Sequence, residues 1–170
     1  MACDITAGRL IPCKNTTGGV SKVYFMNFVE NAFTVTNSVA TAINPLITVV
    51  FQYELVGETN NLAQSMVSSS TAGTTVNTQT LTLALNSLSK EDSHQLNLLA
   101  YGRPIAVVKD RNGNYLVCGL SEGIDFTVAP TTGAGKSDFN GYNLTGVSME
   151  GALAPHLDSA TVTAMLALLD

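Results

Sequence analysis

Tryptophan is absent, aromatics are 6% and charged residues 12% of the 170-residue chain, against roughly 25% charge in an ordinary globular domain. So few rings leave little from which to build a sugar-stacking platform. Eight basic residues (Arg9, Lys14, Lys22, Lys90, Arg103, Lys109, Arg111, Lys136) are scattered through a chain of net charge −5. Phosphate binding grows with the number of cations brought together, so no footprint for gripping DNA is present. No run approaches the ~18 apolar residues of a membrane-spanning helix. The start Met1-Ala2-Cys3-Asp4 lacks the basic and apolar regions of a signal peptide, so a cytoplasmic site of synthesis is expected. Two histidines, His94 and His156, and three cysteines, Cys3, Cys13 and Cys118, are too few and too dispersed for a four-ligand metal site. Reduced thiols are expected, with a Cys3–Cys13 pairing as the alternative.

What replaces charge is 20 Thr, 14 Asn, 13 Ser and 14 Gly. Threonine favours strands, whereas Asn, Ser and Gly favour turns. A weakly charged polar surface also suits a subunit covered on several sides, because interface cores are depleted in Lys, Glu and Asp. An ordinary β domain with a bland surface is the competing reading.

Period-two patterning dominates the chain. Strands are expected over Val20–Glu30, Phe33–Thr36 and Ile47–Leu55, the last with an apolar face of Val49, Phe51, Tyr53 and Leu55. From Gly57 to Thr80 the sequence is polar but still alternates around Ser68-Ser69-Ser70-Thr71-Ala72-Gly73. That spacing predicts a protruding hairpin, with a disordered insertion as the alternative for its middle. Leu81, Leu83 and Leu85 then mark a strand with one buried face. Ser89 caps a helix over Lys90–Ala100, with Asp92 at the capping-box position and Gly102 and Pro104 as the stop. Ile105–Lys109 and Tyr115–Gly119 flank Asn112-Gly113, the strongest hairpin signal in the chain. Further strands are expected over Ile124–Val128 and Tyr142–Met149. A final helix, Ala160–Leu169, is capped by Asp158 or Ser159. Eight or nine strands and two helices in one domain over 1–170 give a mostly-β fold: an antiparallel sandwich or partly closed barrel with one internal and one C-terminal helix.

Motifs for chemistry are missing. Pro130-Thr131-Thr132-Gly133-Ala134-Gly135-Lys136-Ser137 ends like a phosphate-binding P-loop, but Pro130 replaces the first glycine. The next residues, Asp138-Phe139-Asn140-Gly141, read as a turn where the motif needs a helix. Neither histidine lies in a nucleophile or metal motif, and no Gly-x-Ser-x-Gly elbow occurs. The carboxylates show no spacing that pairs them for glycoside hydrolysis. Catalytic, cofactor and metal residues are therefore expected to be none.

The order of these features resembles a family. Cys3-Asp4-Ile5-Thr6-Ala7-Gly8-Arg9-Leu10-Ile11-Pro12-Cys13-Lys14, Gly18-Gly19 and Val23-Tyr24-Phe25 are similar to small virion proteins of tailed phages infecting Bacteroides-type bacteria, crAss-like phages included. Pro104-Ile105-Ala106-Val107-Val108-Lys109-Asp110-Arg111-Asn112-Gly113-Asn114-Tyr115 and Gly133–Tyr142 extend the likeness over nearly the whole chain, with Gly57–Thr80 departing from it. The resemblance implies a tail-tube-like or tail-ring structural protein, assembled in the host cytoplasm and residing in the virion tail. Its partners would be copies of itself in a ring, neighbouring virion proteins, and genomic DNA passing through without sequence-specific binding. It implies no cofactor, membrane or small-molecule substrate. Ring subunits use strand edges and reaching loops, so the candidate inter-subunit contacts are Met66, Ser68, Ser69, Ser70, Thr71, Gly73, Thr75, Arg111, Asn112 and Gly113. Rival expectations are a head-completion or capsid-decorating subunit and a host-surface or glycan-binding β domain.

Overall fold

A computed structural model describes residues 5–170. In chain order the first six strands are β1 (Val20–Met26), β2 (Phe33–Thr36), β3 (Val39–Ile43), β4 (Phe51–Glu54), β5 (Asn61–Ser69) and β6 (Thr74–Asn86). Helix α1 (Lys90–Tyr101) comes next, then β7 (Ile105–Asp110), β8 (Tyr115–Cys118), β9 (Asp125–Thr131), β10 (Gly141–Glu150), β11 (His156–Leu157) and α2 (Ser159–Leu166). They form a seven-stranded sheet in the order β2-β3-β11-β8-β7-β1-β4 and a four-stranded sheet in the order β5-β6-β10-β9. All pairings within the sheets are antiparallel except β11 with β3. The fold is mostly β and sandwich-like, and neither sheet closes into a barrel.

The sequence of the central strands explains the layering. Val23 and Phe25 of β1, with Ala106 and Val108 of β7, point into a core shared with Leu81, Leu83 and Leu144 of the small sheet. The alternate residues Tyr24, Met26, Ile105 and Val107 point the other way, into a second core closed by Phe33, Ile47, Val50 and Met165 of α2. A strand buried on both faces needs a continuous apolar run, which Val23–Met26 and Ile105–Val108 supply. The small sheet has one wet face, so β6 and β10 alternate strictly. Gly146 of β10 lies under the ring of Phe126: a Cβ there would come within 2.6 Å of that ring and 2.7 Å of Ile124.

Several boundaries differ from the sequence expectation. Within Ile47–Leu55 only Phe51–Glu54 is a strand. Ile47 and Val50 are the buried residues, while Val49 and Phe51 remain about 40% exposed. The cause is a tertiary bond: the Val50 N–H donates to the Leu168 carbonyl at 2.9 Å, and its carbonyl accepts from the Asp170 N–H at 3.2 Å. That contact also ends α2 at Leu166, short of the expected Leu169. Within Gly57–Thr80 a hairpin forms from Asn61 onward, and its second arm runs unbroken into Leu81–Leu85 as the thirteen-residue β6. β3 and β11 were not expected; β11 places His156 in a short strand rather than a loop. α1 matches expectation, with the Ser89 hydroxyl accepting from the Asp92 N–H at 3.0 Å.

Candidate functional site

The four-stranded sheet ends in two edge strands without a further strand partner, β5 on one side and β9, against which α1 packs, on the other. Cross-strand pairing sets its outward face as Ala63, Ser65 and Val67 of β5; Val76, Thr78 and Thr80 of β6; Thr145, Val147 and Met149 of β10; and Asp125 and Thr127 of β9. Asp125 is the one charge on that face among the described residues. Val67 and Met149 are each about 65% exposed, so the hairpin end of the face is apolar as well as uncharged. Pro130 fits β9 because an edge strand leaves alternate N–H groups without a ladder partner, and one can be lost at little cost.

The candidate contact residues separate into two groups. Met66, Ser68, Ser69, Ser70, Thr71, Gly73 and Thr75 all belong to the β5–β6 hairpin, whose tip is residues 70–73. All but the half-buried Ser69 are exposed. The tip is internally braced: the Ser68 and Thr75 hydroxyls lie 3.0 Å apart, the Ser69 hydroxyl accepts from the Ala72 N–H, and Gly73 holds φ +65°. A residue with a side chain is strained at that angle, which is why glycine sits there.

Arg111, Asn112 and Gly113 form the β7–β8 turn of the other sheet. Their polar groups are engaged within the chain. Arg111 donates from Nη2 to the Gly57 carbonyl at 2.6 Å and from its backbone N–H to the Gly19 carbonyl. Asn112 Oδ1 accepts from the Thr17 N–H and its Nδ2 donates to the Thr17 carbonyl, both at 2.9 Å. Asp110 accepts from the backbone N–H groups of Asn112 and Asn114. Burial pushes the Asp110 carboxyl up, but hydrogen bonds from Asn114 and Asn112 outweigh it and hold the group below its ordinary value. The turn thus clamps the segment that precedes β1, a role that turn chemistry alone did not indicate.

The P-loop-like stretch carries no phosphate cradle. Asp138 Oδ2 accepts from the Ala134 and Gly135 N–H groups at 3.0 and 2.6 Å. These bonds, Gly135 first, lower the Asp138 pKa. The amides a phosphate would need are thus occupied by a carboxylate of the same loop, and β10 comes next in place of a helix. His94 and His156 are both exposed. Among the described residues no three His, Cys, Asp or Glu side chains converge as metal ligands. Cys13 is a free exposed thiol and Cys118 a free buried one, while Cys3 lies outside the described residues. Burial, then the charge of Glu150, pushes the Cys118 thiol far above the ordinary range, so it stays protonated and inert.

A buried polar cluster was not anticipated from the sequence. Glu150 accepts from the Ser121 N–H at 3.0 Å, from the Ser121 hydroxyl, and from the Ser148 hydroxyl at 3.1 Å. Beside it Gln79 Oε1 accepts from the Gly119 N–H. The cluster ties the loop after β8 to the end of β10 and borders a shallow cleft of about 330 Å³. Its signal was available in β10, where the inward-pointing series Tyr142, Leu144, Gly146 turns polar at Ser148 and Glu150.

No family model, curated protein or solved structure matches the chain.

Proposed function

We propose that the chain is a virion structural protein of a tailed bacteriophage, a ring-forming subunit of the tail tube or tail barrel around the DNA channel. The observation that carries this reading is the four-stranded sheet with an edge strand lacking a strand partner on each side and an outward face bearing one charge. Edge strands of nine and seven residues without a further strand partner invite pairing with another chain, which at β9 would lie beside α1. Because β5, β6, β10 and β9 alternate in direction, β5 of one copy laid beside β9 of the next continues the antiparallel alternation. Repeating that head-to-tail contact through a closing rotation gives a ring whose small sheets join into one barrel without edges. A face without Lys or Arg offers DNA phosphates nothing to hold, and so permits sliding.

The sequence resemblance points the same way and supplies the phage tail as the setting. Negative-stain microscopy and mass photometry of the purified chain test the reading. Rings of several copies with a central opening are the expected result. A chain that stays monomeric at millimolar concentration and is missing from phage particles overturns it.

A further inference from the structure

The segment before β1 carries three large aliphatic side chains with almost no protein around them. Ile5 is 94%, Leu10 92% and Ile11 97% exposed. Residues 5–16 form no helix or strand, and Pro12 favours an extended path. The segment is nonetheless fixed at its base, where Asn112 makes two hydrogen bonds to Thr17. Twelve residues at ~3.3 Å each reach roughly 40 Å, beyond the radius of gyration of about 15 Å expected for a chain of this size. Arg9 and Lys14 give this arm positive charge, and no acid occurs between Ile5 and Val20.

At the opposite end of β1 lies a groove of about 710 Å³, between the edge strand β4 and α1. Its apolar walls include Phe28, Phe51, Tyr53 and Leu98. Phe51 and Leu98 are 41% and 51% exposed, large apolar groups only half covered. Its rim carries three carboxylates, Glu54, Asp92 and Asp170, against Arg103, with Glu54 also paired to Lys22 at 2.7 Å. Arg103 itself lies over the Phe28 ring, 5.2 Å from its centre. The C-terminal residues Leu168–Asp170 take the start of the outer edge by bonding to Val50, and the edge left to an added strand is that of Phe51–Glu54, which pairs only with β1.

We infer that residues 5–14 of one copy dock in the β4–α1 groove of a second copy. The chemistry matches on three counts: extended backbone beside the short free edge of Phe51–Glu54, three aliphatic side chains beside half-covered aromatic and leucine surface, and two cations beside a net-acidic rim. Geometry selects a second copy. The arm leaves from the Val20 end of β1, the groove lies by the Met26 end, and residues 5–18 are exposed throughout, so the arm does not lie in its own groove. Donor and acceptor at opposite ends make a head-to-tail contact that repeats along an axis. Resting on the proposed ring, this contact would link one ring to the next, leaving the sheet edges to close each ring.

Cys13 sits inside the arm and is exposed, so it can carry a photocrosslinker in the otherwise intact chain with Cys3→Ser. A mixture of isotopically light and heavy protein separates links between chains from links within one. The expected result is inter-chain links from Cys13 to peptides spanning Phe51–Glu54 or Leu98–Arg103. Leu10→Asp with Ile11→Asp, or Leu98→Asp on the groove side, lowers their yield at least tenfold, with circular dichroism unchanged. In microscopy these variants keep rings but lose stacks. Links confined to the same chain, links to other surfaces, or yields indifferent to all three substitutions overturn the inference. Rings that persist in that case leave the proposed function standing, whereas a chain without rings but with the expected links removes the ring reading and keeps the docking.

Discussion

Phe25→Ala tests the sandwich most directly. Phe25 is 2% exposed and meets the rings of Tyr53 and Phe126 edge-on, at 5.1 and 5.5 Å between centres. It therefore joins β1, β4 and β9, and so the two sheets. Truncating a buried Phe costs about 3–5 kcal/mol, and two edge-to-face contacts add roughly 0.5–1.5 kcal/mol each beyond area. We expect about 4 kcal/mol, or a fall in Tm of about 8–16 °C at ~2–4 °C per kcal/mol for a domain of this length. Phe51 provides the control. It is the direct cross-strand partner of Phe25, on the same sheet face, yet 41% exposed. Its truncation should cost only about 1 kcal/mol, in proportion to the smaller area it buries. Thermal melts by far-ultraviolet circular dichroism suit a chain without tryptophan. They should be run at one low concentration, since assembly adds stability by mass action. Equal shifts for the two variants, or a loss below about 1 kcal/mol for Phe25→Ala, would refute the two-core layering.

Gly146→Ala places a methyl within 3 Å of Phe126 and Ile124. A loss of about 1–3 kcal/mol in urea unfolding is expected from that overpacking; no change would mean the ring can move aside. Asp110, with its lowered pKa, stabilises the fold above its ordinary value of 3.8, and that contribution disappears as pH falls through the folded-state value. Carbon-detected NMR should place its midpoint below 3.8, and Asn114→Ala should move it upward. Thiol labelling of the Cys3→Ser protein should modify Cys13 at once and Cys118 only on unfolding. Rapid labelling of Cys118 in the native state contradicts the packing beneath β8.

Strands with one wet face were legible because their pattern has one cause. Thr80-Leu81-Thr82-Leu83 alternates since burial alternates, and the Asn112-Gly113 turn and the Ser89 and Asp158 caps arise from local backbone chemistry. Ile47–Leu55 was misread because its fate is decided by Leu168 and Asp170, more than a hundred residues away, and no window of sequence contains that bond. The two-residue β11 has no periodicity to detect. Of the candidate surface, the hairpin was visible in its composition. The clamp of Asn112 on Thr17 and the sharing of Glu150 by two serines depend on long-range approach and left only faint traces, such as polar residues ending an apolar series.

The arm and β1 are one continuous strand of chain, and β1 is bonded along its length to β4 on one side and β7 on the other. A pull on the arm is therefore delivered along the axis of the most deeply buried strand. It must shear two ladders together and cannot peel them bond by bond. Tension carried between copies would be borne by the spine of the fold, while the thin hairpin at the far sheet stays unloaded.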